Sequence, residues 1–236
     1  MPEPEPEHTV TGADWTTQRP PVLSPVPVTT ALRLHGQLEL IGQRVVVGDP
    51  RSGAWVYDQR AATKVHARDG QKMVGVVAEV DWYRQQRDPA YPVVPFSVPA
   101  DRVWFELTDM VDPDAAPAPL DQSDLLPGYR SVSLVSDPTM PPVRWPRRAD
   151  GERAVTGARC WLVMESGVHG GFRAAGEPRR SEVPAVNLSR GLEGLNQPVI
   201  GTIIPLYREM DWYRWQDTGD LPRQRFDAES QLVYLE

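Results

Sequence analysis

The sequence predicts a mainly β protein made of two related small units, each barrel-like or sandwich-like, and two observations carry that prediction. First, Glu79 to Glu106 lies over Glu209 to Glu236 at a constant offset of 130 residues, with ten of 28 positions identical. These include Asp81-Trp82-Tyr83-Arg84 over Asp211-Trp212-Tyr213-Arg214. A Trp-Tyr pair held between Asp and Arg is improbable twice by chance, so the chain reads as an internal duplication. Second, short apolar and β-branched runs recur about every eight to twelve residues with Gly, Pro and Asp between them, the spacing of small all-β units of SH3-like or comparable size.

Upstream the likeness thins. Gly42-Gln43-Arg44-Val45-Val46-Val47-Gly48 resembles Gly151-Glu152-Arg153-Ala154-Val155-Thr156-Gly157, and Trp55 and Trp161 follow. Val74-Gly75-Val76-Val77 resembles Ile200-Gly201-Thr202-Ile203 at an offset of 126, which implies four residues inserted in the second copy.

Taken in order, residues 1–30 are rich in Pro and Glu and poor in large apolar groups, a composition expected of a flexible tail. The first β unit is expected over 31–107. In it Gln37 to Val47 reads as a strand from its alternating apolar residues, Ala54 to Tyr57 as a second, and Lys64 to Ala67 with Met73 to Val80 as a hairpin about Asp69-Gly70. Arg102 to Leu107 closes the unit. Residues 108–128, with Asp112-Pro113-Asp114 and Ala115 to Pro119, have little to bury and read as a linker. The second β unit is expected over 129–236, with strands at Ser131–Val135, Ala154–Thr156, Cys160–Met164, Val199–Ile204 and Leu232–Leu235. Leu206, Met210 and Tyr213 fall at helical spacing behind Pro205, so a short helix is expected around 205–216 where the first copy stays extended.

Composition narrows the function classes. The formal net charge is −7, which on average opposes the phosphate backbone of nucleic acids. Positive charge is almost all Arg, since Lys64 and Lys72 are the only lysines. Cys160 is the only cysteine, so no intrachain disulfide forms, and the acidic, Pro-rich start is unlike a secretory signal. No apolar run approaches the roughly 18 residues of a membrane span. The expected location is the cytoplasm, away from the membrane, and the acidic, Arg-rich make-up suggests a bacterial source.

The candidate binding residues are the two cassettes, Asp81, Trp82, Tyr83, Arg84 and Asp211, Trp212, Tyr213, Arg214. One reading is a clamp in which aromatic faces stack on a ligand while Asp and Arg supply charge-assisted hydrogen bonds. The other, favoured by how often aromatic residues are buried, is that Trp82 and Trp212 plug the cores while Asp and Arg pair with each other. A second candidate is the Arg/Trp stretch Val143 to Arg148, with Trp145 and Arg147, which could stack bases and neutralise phosphates.

Nothing assigns a catalytic residue. Asp81 and Asp211 lack an Asp-Thr-Gly context, the histidines at 8, 35, 66 and 169 are not at metal-ligand spacing, and no Gly-x-Ser-x-Gly occurs. His169 lies in Gly167 to Gly171, read as a mobile loop that lacks the residues of a phosphate loop. No metal and no cofactor is expected. The function expected is a non-enzymatic interaction or adaptor protein whose partner is another protein. The alternatives are an enzyme or small-ligand protein with a pocket between the two units, and a nucleic-acid binder using the Arg/Trp patch.

Overall fold

The computed structural model describes residues 18–108, 140–164, 166–183 and 199–236. The linker expected over 108–128 apart from Thr108, the strand expected at Ser131–Val135 and the first 17 residues lie outside these. The architecture is mainly β: two antiparallel half-barrel sheets of similar size, with three α-helices among the described residues.

The first sheet is built from β1 (Ser24–Pro27), β2 (Arg44–Asp49), β3 (Ala54–Ala61), β4 (His66–Arg68), β5 (Gln71–Ala78), β6 (Phe96–Pro99) and β7 (Val103–Leu107), with α1 (Val28–Glu39) after β1 and α2 (Glu79–Arg87) after β5. Its order is β1-β7-β2-β3-β5-β4, with β6 also on β5. The second comprises β8 (Arg147–Arg148), β9 (Arg159–Met164), β10 (Gly167–Ala174), β11 (Arg179–Val183), β12 (Val199–Arg208), β13 (Phe226–Glu229) and β14 (Val233–Leu235), with α3 (Glu209–Thr218) after β12. Its order is β11-β12-β10-β9-β14-β8, with β13 on β12. In both, a 3-10 turn, Ala100–Arg102 or Ser230–Leu232, leads into the last strand.

Strand register aligns the copies. Val76 pairs with Phe96 and Leu206 with Phe226; Val74 pairs with Val98 and Ile204 with Ala228. The offset of 130 therefore runs back through the whole end of β5 and β12. This overturns the offset of 126: no residues are inserted before the helix, and Val74 and Val76 answer to Ile204 and Leu206, all fully buried. Likewise Val47 faces Val103 as Leu162 faces Val233, which aligns β2 with β9 at an offset of 115. Gly42 then matches Gly157, not Gly151, and Trp161 matches Val46, not Trp55. Both glycines have positive φ (84° and 82°), and their N–H groups donate to the carbonyls of Ala61 and Ala174. A β-bulge sits at the same place in each sheet, with Asp58 (φ 59°) in one and Gly171 (φ 77°) in the other in the left-handed region.

Five local expectations are corrected. Gln37–Leu40 is not a strand: Val28 and Ala31, both fully buried, set a helical period that continues to a break at Gly36 (φ 74°), and Leu38 points to solvent. The tail expected through residue 30 ends earlier, because Val22, Leu23 and Val26 are buried and β1 pairs with β7; its prolines fit an edge strand, which need not donate every N–H. The first Asp-Trp-Tyr-Arg is helical rather than extended, with Glu79 and Asp81 in the first turn of α2 and Arg84 and Arg87 in the last, matching the helix dipole. In the second copy Pro205 to Arg208 extends β12, and the helix begins at Glu209. Ala154–Thr156 is not a strand either; of it, Val155 is buried by packing in the second core.

Each sheet wraps its own apolar core. The first holds Val45, Val74, Val76, Val103 and Phe105, the second Cys160, Phe172, Ile204, Leu206 and Val233. By compactness one body comprises Pro21–Trp145 together with Met210–Pro222, and the other contains Pro146–Glu209 and Arg223–Glu236. The residues Met210–Thr218 of α3 thus belong with the first sheet. No helix among the described residues is long and apolar enough to cross a membrane.

Candidate functional site

Each copy contains an Arg–Glu pair with a buried glutamate; the sequence aligns the two glutamates, Glu79 and Glu209, but not their arginines. Arg60 on β3 donates through Nη1 to the Gly42 carbonyl (2.8 Å) and through Nε to Glu79 (2.7 Å). At the matching place Arg173 on β10 donates to the Gly157 carbonyl (2.9 Å), with its Nε 3.9 Å from Glu209. Glu79 is 1 % exposed and Glu209 6 %. A carboxylate so buried persists only with cationic and hydrogen-bonding partners. Glu209 has a second one in Arg159, at 3.1 Å.

The doubled cassette converges on this pair in the first body. Tyr83 and Tyr213 stack with ring centres 5.2 Å apart and planes at 25°. The Arg60 guanidinium donates to the Tyr83 hydroxyl (3.0 Å), and the Tyr213 hydroxyl donates to the other oxygen of Glu79 (2.9 Å). Trp82 is half-buried against Gly42, where a Cβ would lie 2.8 Å from its ring, so the glycine is required twice, by its φ and by this approach. Trp212, also half-buried, meets Tyr213 edge to face at 5.0 Å.

Of the charged members, Arg84 bonds Asp81 (3.1 Å), Tyr91 (3.3 Å) and Asp217, and Arg87 adds a second bond to Asp217 (2.9 Å). The hydrogen bond to Asp217 raises the Arg84 pKa, and the same bond, with that of Arg87, holds the Asp217 carboxyl below its usual range. Asp211 is half-buried and Arg214 exposed. The structure therefore brings Tyr83 and Tyr213 into one network with Arg60 and Glu79, and Arg84 into another with Asp81, Tyr91, Arg87 and Asp217; Arg60, Tyr91, Arg87, Asp217 and Glu79 are the members that sequence reasoning did not single out. The identity Glu79/Glu209 was a visible signal. Arg60/Arg173 was hidden because its offset is 113.

The arginines of the Arg/Trp stretch each have a partner within the protein. In the first body Arg144 bonds Glu106 and lies 4.8 Å over the Tyr57 ring, with Trp145 39 % exposed. Burial raises the Tyr57 pKa, while Arg144 opposes the rise. In the second body Arg147 bonds Glu152, and Arg148 bonds the Tyr234 hydroxyl (3.0 Å). Arg173 is buried, and Arg179 meets Asp227 at 3.1 Å.

His169 lies in strand β10 and not in a loop, with its Nε2 2.8 Å from the Ser166 hydroxyl at the adjoining turn. Burial pushes the Cys160 thiol up to about 12, which leaves it a neutral core side chain at physiological pH. The Glu177 carboxyl is held low, first by the Thr156 hydroxyl and then by the Val155 N–H, which it ties down as a turn anchor. Among the described residues no group of His, Cys, Asp and Glu could hold a metal ion.

The first body also carries an open cavity of about 520 Å³, formed where β1 turns into α1. Pro27, Val28, Pro50, Trp104 and Met140 give it an apolar wall, with Thr29 and Lys72 among its polar lining. Such a volume is in the range that receives a small ligand or a few side chains of a partner. No protein-family model matches the sequence, and neither the curated proteins nor the solved structures give a match.

Proposed function

We propose that this is a non-enzymatic interaction protein that binds another protein through the first β body. The observation that supports this most is how the conspicuous polar residues are used. Tyr83, Arg84 and Tyr213 of the doubled cassette, and Glu79 beside it, are held by partners within the protein, while the open concavity is lined by more apolar than polar side chains. Catalysis needs a titratable group poised at an accessible site. The carboxylates with shifted pKa, Asp217 and Glu177, are shifted away from neutrality, and the shifted thiol is buried. Nucleic-acid binding is the weaker reading because Arg144, Arg147 and Arg179 each face a carboxylate that a phosphate would have to displace.

The test is a photo-crosslinking residue placed at Thr29, on the cavity wall, in the full chain within native cell extract. A single stoichiometric adduct to one protein, lost with excess unlabelled chain, is expected. A metabolite or nucleotide that raises the melting temperature and also blocks that crosslink would replace this reading with a small-ligand one.

A further inference from the structure

The wall of the open cavity is particular to the first copy. In the first sheet Pro27 on β1 faces Trp104 on β7, and at the same place in the second sheet Arg148 on β8 faces Tyr234 on β14. Arg148 donates to the Tyr234 hydroxyl (3.0 Å), so the second copy joins a polar pair where the first lines its cavity with proline and tryptophan. At the offset of 130 Lys72 answers to Thr202 on β12, and Asp101 to Gln231 in the matching 3-10 turn. The half-barrel thus forms with an uncharged residue at either position, and neither charge is a demand of folding.

Lys72 and Asp101 both line the cavity, and both are exposed. Register places them on neighbouring elements: Met73, next to Lys72, faces Pro99, and the turn that carries Asp101 follows Pro99 directly. Among the described residues neither takes part in an ion pair, with the other or with a third group. That sets them apart from Arg60, Arg84 and Arg144 of the same body, which meet Glu79, Asp217 and Glu106. Lys72 is also one of only two lysines in the chain. Its flexible point charge can follow a carboxylate that a rigid guanidinium could not. Charges at the edge of an apolar wall are solvated while the cavity is open, and they act more strongly once a bound group displaces that water.

We infer that the cavity takes a short linear segment of a partner protein in which an apolar side chain stands between an acidic residue, which meets Lys72, and a basic residue, which meets Asp101. This rests on the reading of the first body as a protein-binding unit and names what that unit selects. The wall of Pro27, Val28, Pro50, Trp104 and Met140 supplies burial for the apolar side chain. The two charges supply choice. A segment with the same apolar residue between two acids would set one of them against Asp101, and one between two bases would set one against Lys72. The chain's net charge of −7 also opposes a strongly acidic partner at long range.

Lys72→Thr and Asp101→Gln each introduce the side chain that the second copy carries at the aligned position, so folding is preserved. The full-length wild type and both variants are used to select from a displayed library of random peptides. Peptides enriched on the wild type should carry an acid and a base on either side of an apolar residue. Selection on Lys72→Thr should keep the base and lose the acid, and selection on Asp101→Gln should keep the acid and lose the base. A peptide chosen by the wild type should bind each variant about fivefold more weakly, and should bind the wild type more weakly as salt rises. No enrichment, enriched peptides without a charge preference, or a preference that both variants retain would each overturn the inference. If one of these occurs while the Thr29 crosslinker still captures a single protein, the charge rule fails and the binding reading stands; if the crosslinker captures nothing either, both fail.

Discussion

The two copies keep the same interior wiring and spend their surroundings differently. In the first, Arg60 holds the Gly42 carbonyl and Glu79, and the second oxygen of Glu79 accepts from Tyr213. In the second, Arg173 holds the Gly157 carbonyl, and Glu209 is shared between Arg173 and Arg159. What survives duplication is one arginine on the strand after the bulge, one glycine of positive φ whose carbonyl it caps, and one glutamate at the start of the helix. What changes is the third partner, a tyrosine hydroxyl in one copy and a second arginine in the other. The difference teaches that the Arg–Glu–carbonyl unit fixes the half-barrel, while the cassette that first attracts the eye is variable in its duties.

The largest expected effect comes from removing the glutamate. Glu79→Ala removes the buried carboxylate to which Arg60 and Tyr213 both donate, and breaking a buried pair from one side costs about 3–5 kcal/mol. Urea unfolding of the full chain should show that loss. Glu79→Gln should lose less, since the amide oxygen still accepts one bond. If Glu79→Ala falls within about 0.5 kcal/mol of wild type, the view that this pair defines the fold is wrong.

A smaller effect separates the two bulges. Asp58 and Gly171 occupy the same left-handed position, which Asp tolerates better than a β-branched residue does. Gly171→Val should therefore cost roughly 1–3 kcal/mol, and Asp58→Gly should cost less, because glycine takes that φ without strain. Equal costs at both sites would mean that the bulge is not structurally equivalent in the two sheets. Thermal unfolding of the two variants decides it.

Much of this wiring was legible and some was not, for identifiable reasons. The ungapped run from Glu79 to Glu106 was readable because it contains the helix, the last strands and the 3-10 turn with no change of length between copies. Arg60 and Arg173 were not, because the copies differ in length within the β4–β5 and β11–β12 hairpins and again before β3 and β10, so the offset drifts from 130 to 113 to 115. A glycine-bounded match, Gly42 with Gly151, then looked better than the true one with Gly157, since glycine is common at turns and carries little alignment information. The helix at Glu79 was missed because nine residues with a low apolar content give a weak period. Its charges, acidic first and basic last, were the stronger signal. Edge strands β1 and β6 were hidden by their prolines, which argue against central strands but not against edges.

Acid should distinguish the two bodies next. Asp217 and Glu177 both have depressed carboxyl pKa values, the first through Arg84 and Arg87 in the first body, the second through Thr156 and Val155 in the other. For a depressed carboxylate the folded state binds the proton less readily than the unfolded chain. Its stabilisation is complete above the unfolded value, near 3.8 for Asp and 4.5 for Glu, and is lost as pH falls through the lower folded value. Asp217→Asn should flatten the acid limb of stability for the first body and leave that of the second unchanged; Glu177→Gln should do the reverse. Hydrogen exchange between pH 5 and pH 3, read separately on β5 and β12, measures this, and a variant that changed both limbs alike would show that the two pairs do not act locally.

The smallest effect is expected at the core of the second copy. Cys160 is fully buried on β9, where the first copy places Val45, also fully buried, and its thiol pKa is raised to about 12. Register makes these residues counterparts, since Leu235 faces Cys160 as Phe105 faces Val45. A thiol that stays protonated and out of water reacts only when the strand opens, so alkylation of the native chain at pH 8 should be slow and should track the opening of β9. Cys160→Val should be tolerated within about 1.5 kcal/mol, because the first copy already uses valine at that place and the volumes are close. A fast-reacting native thiol would mean that β9 is open to water, and would break the equivalence of the two cores at that strand.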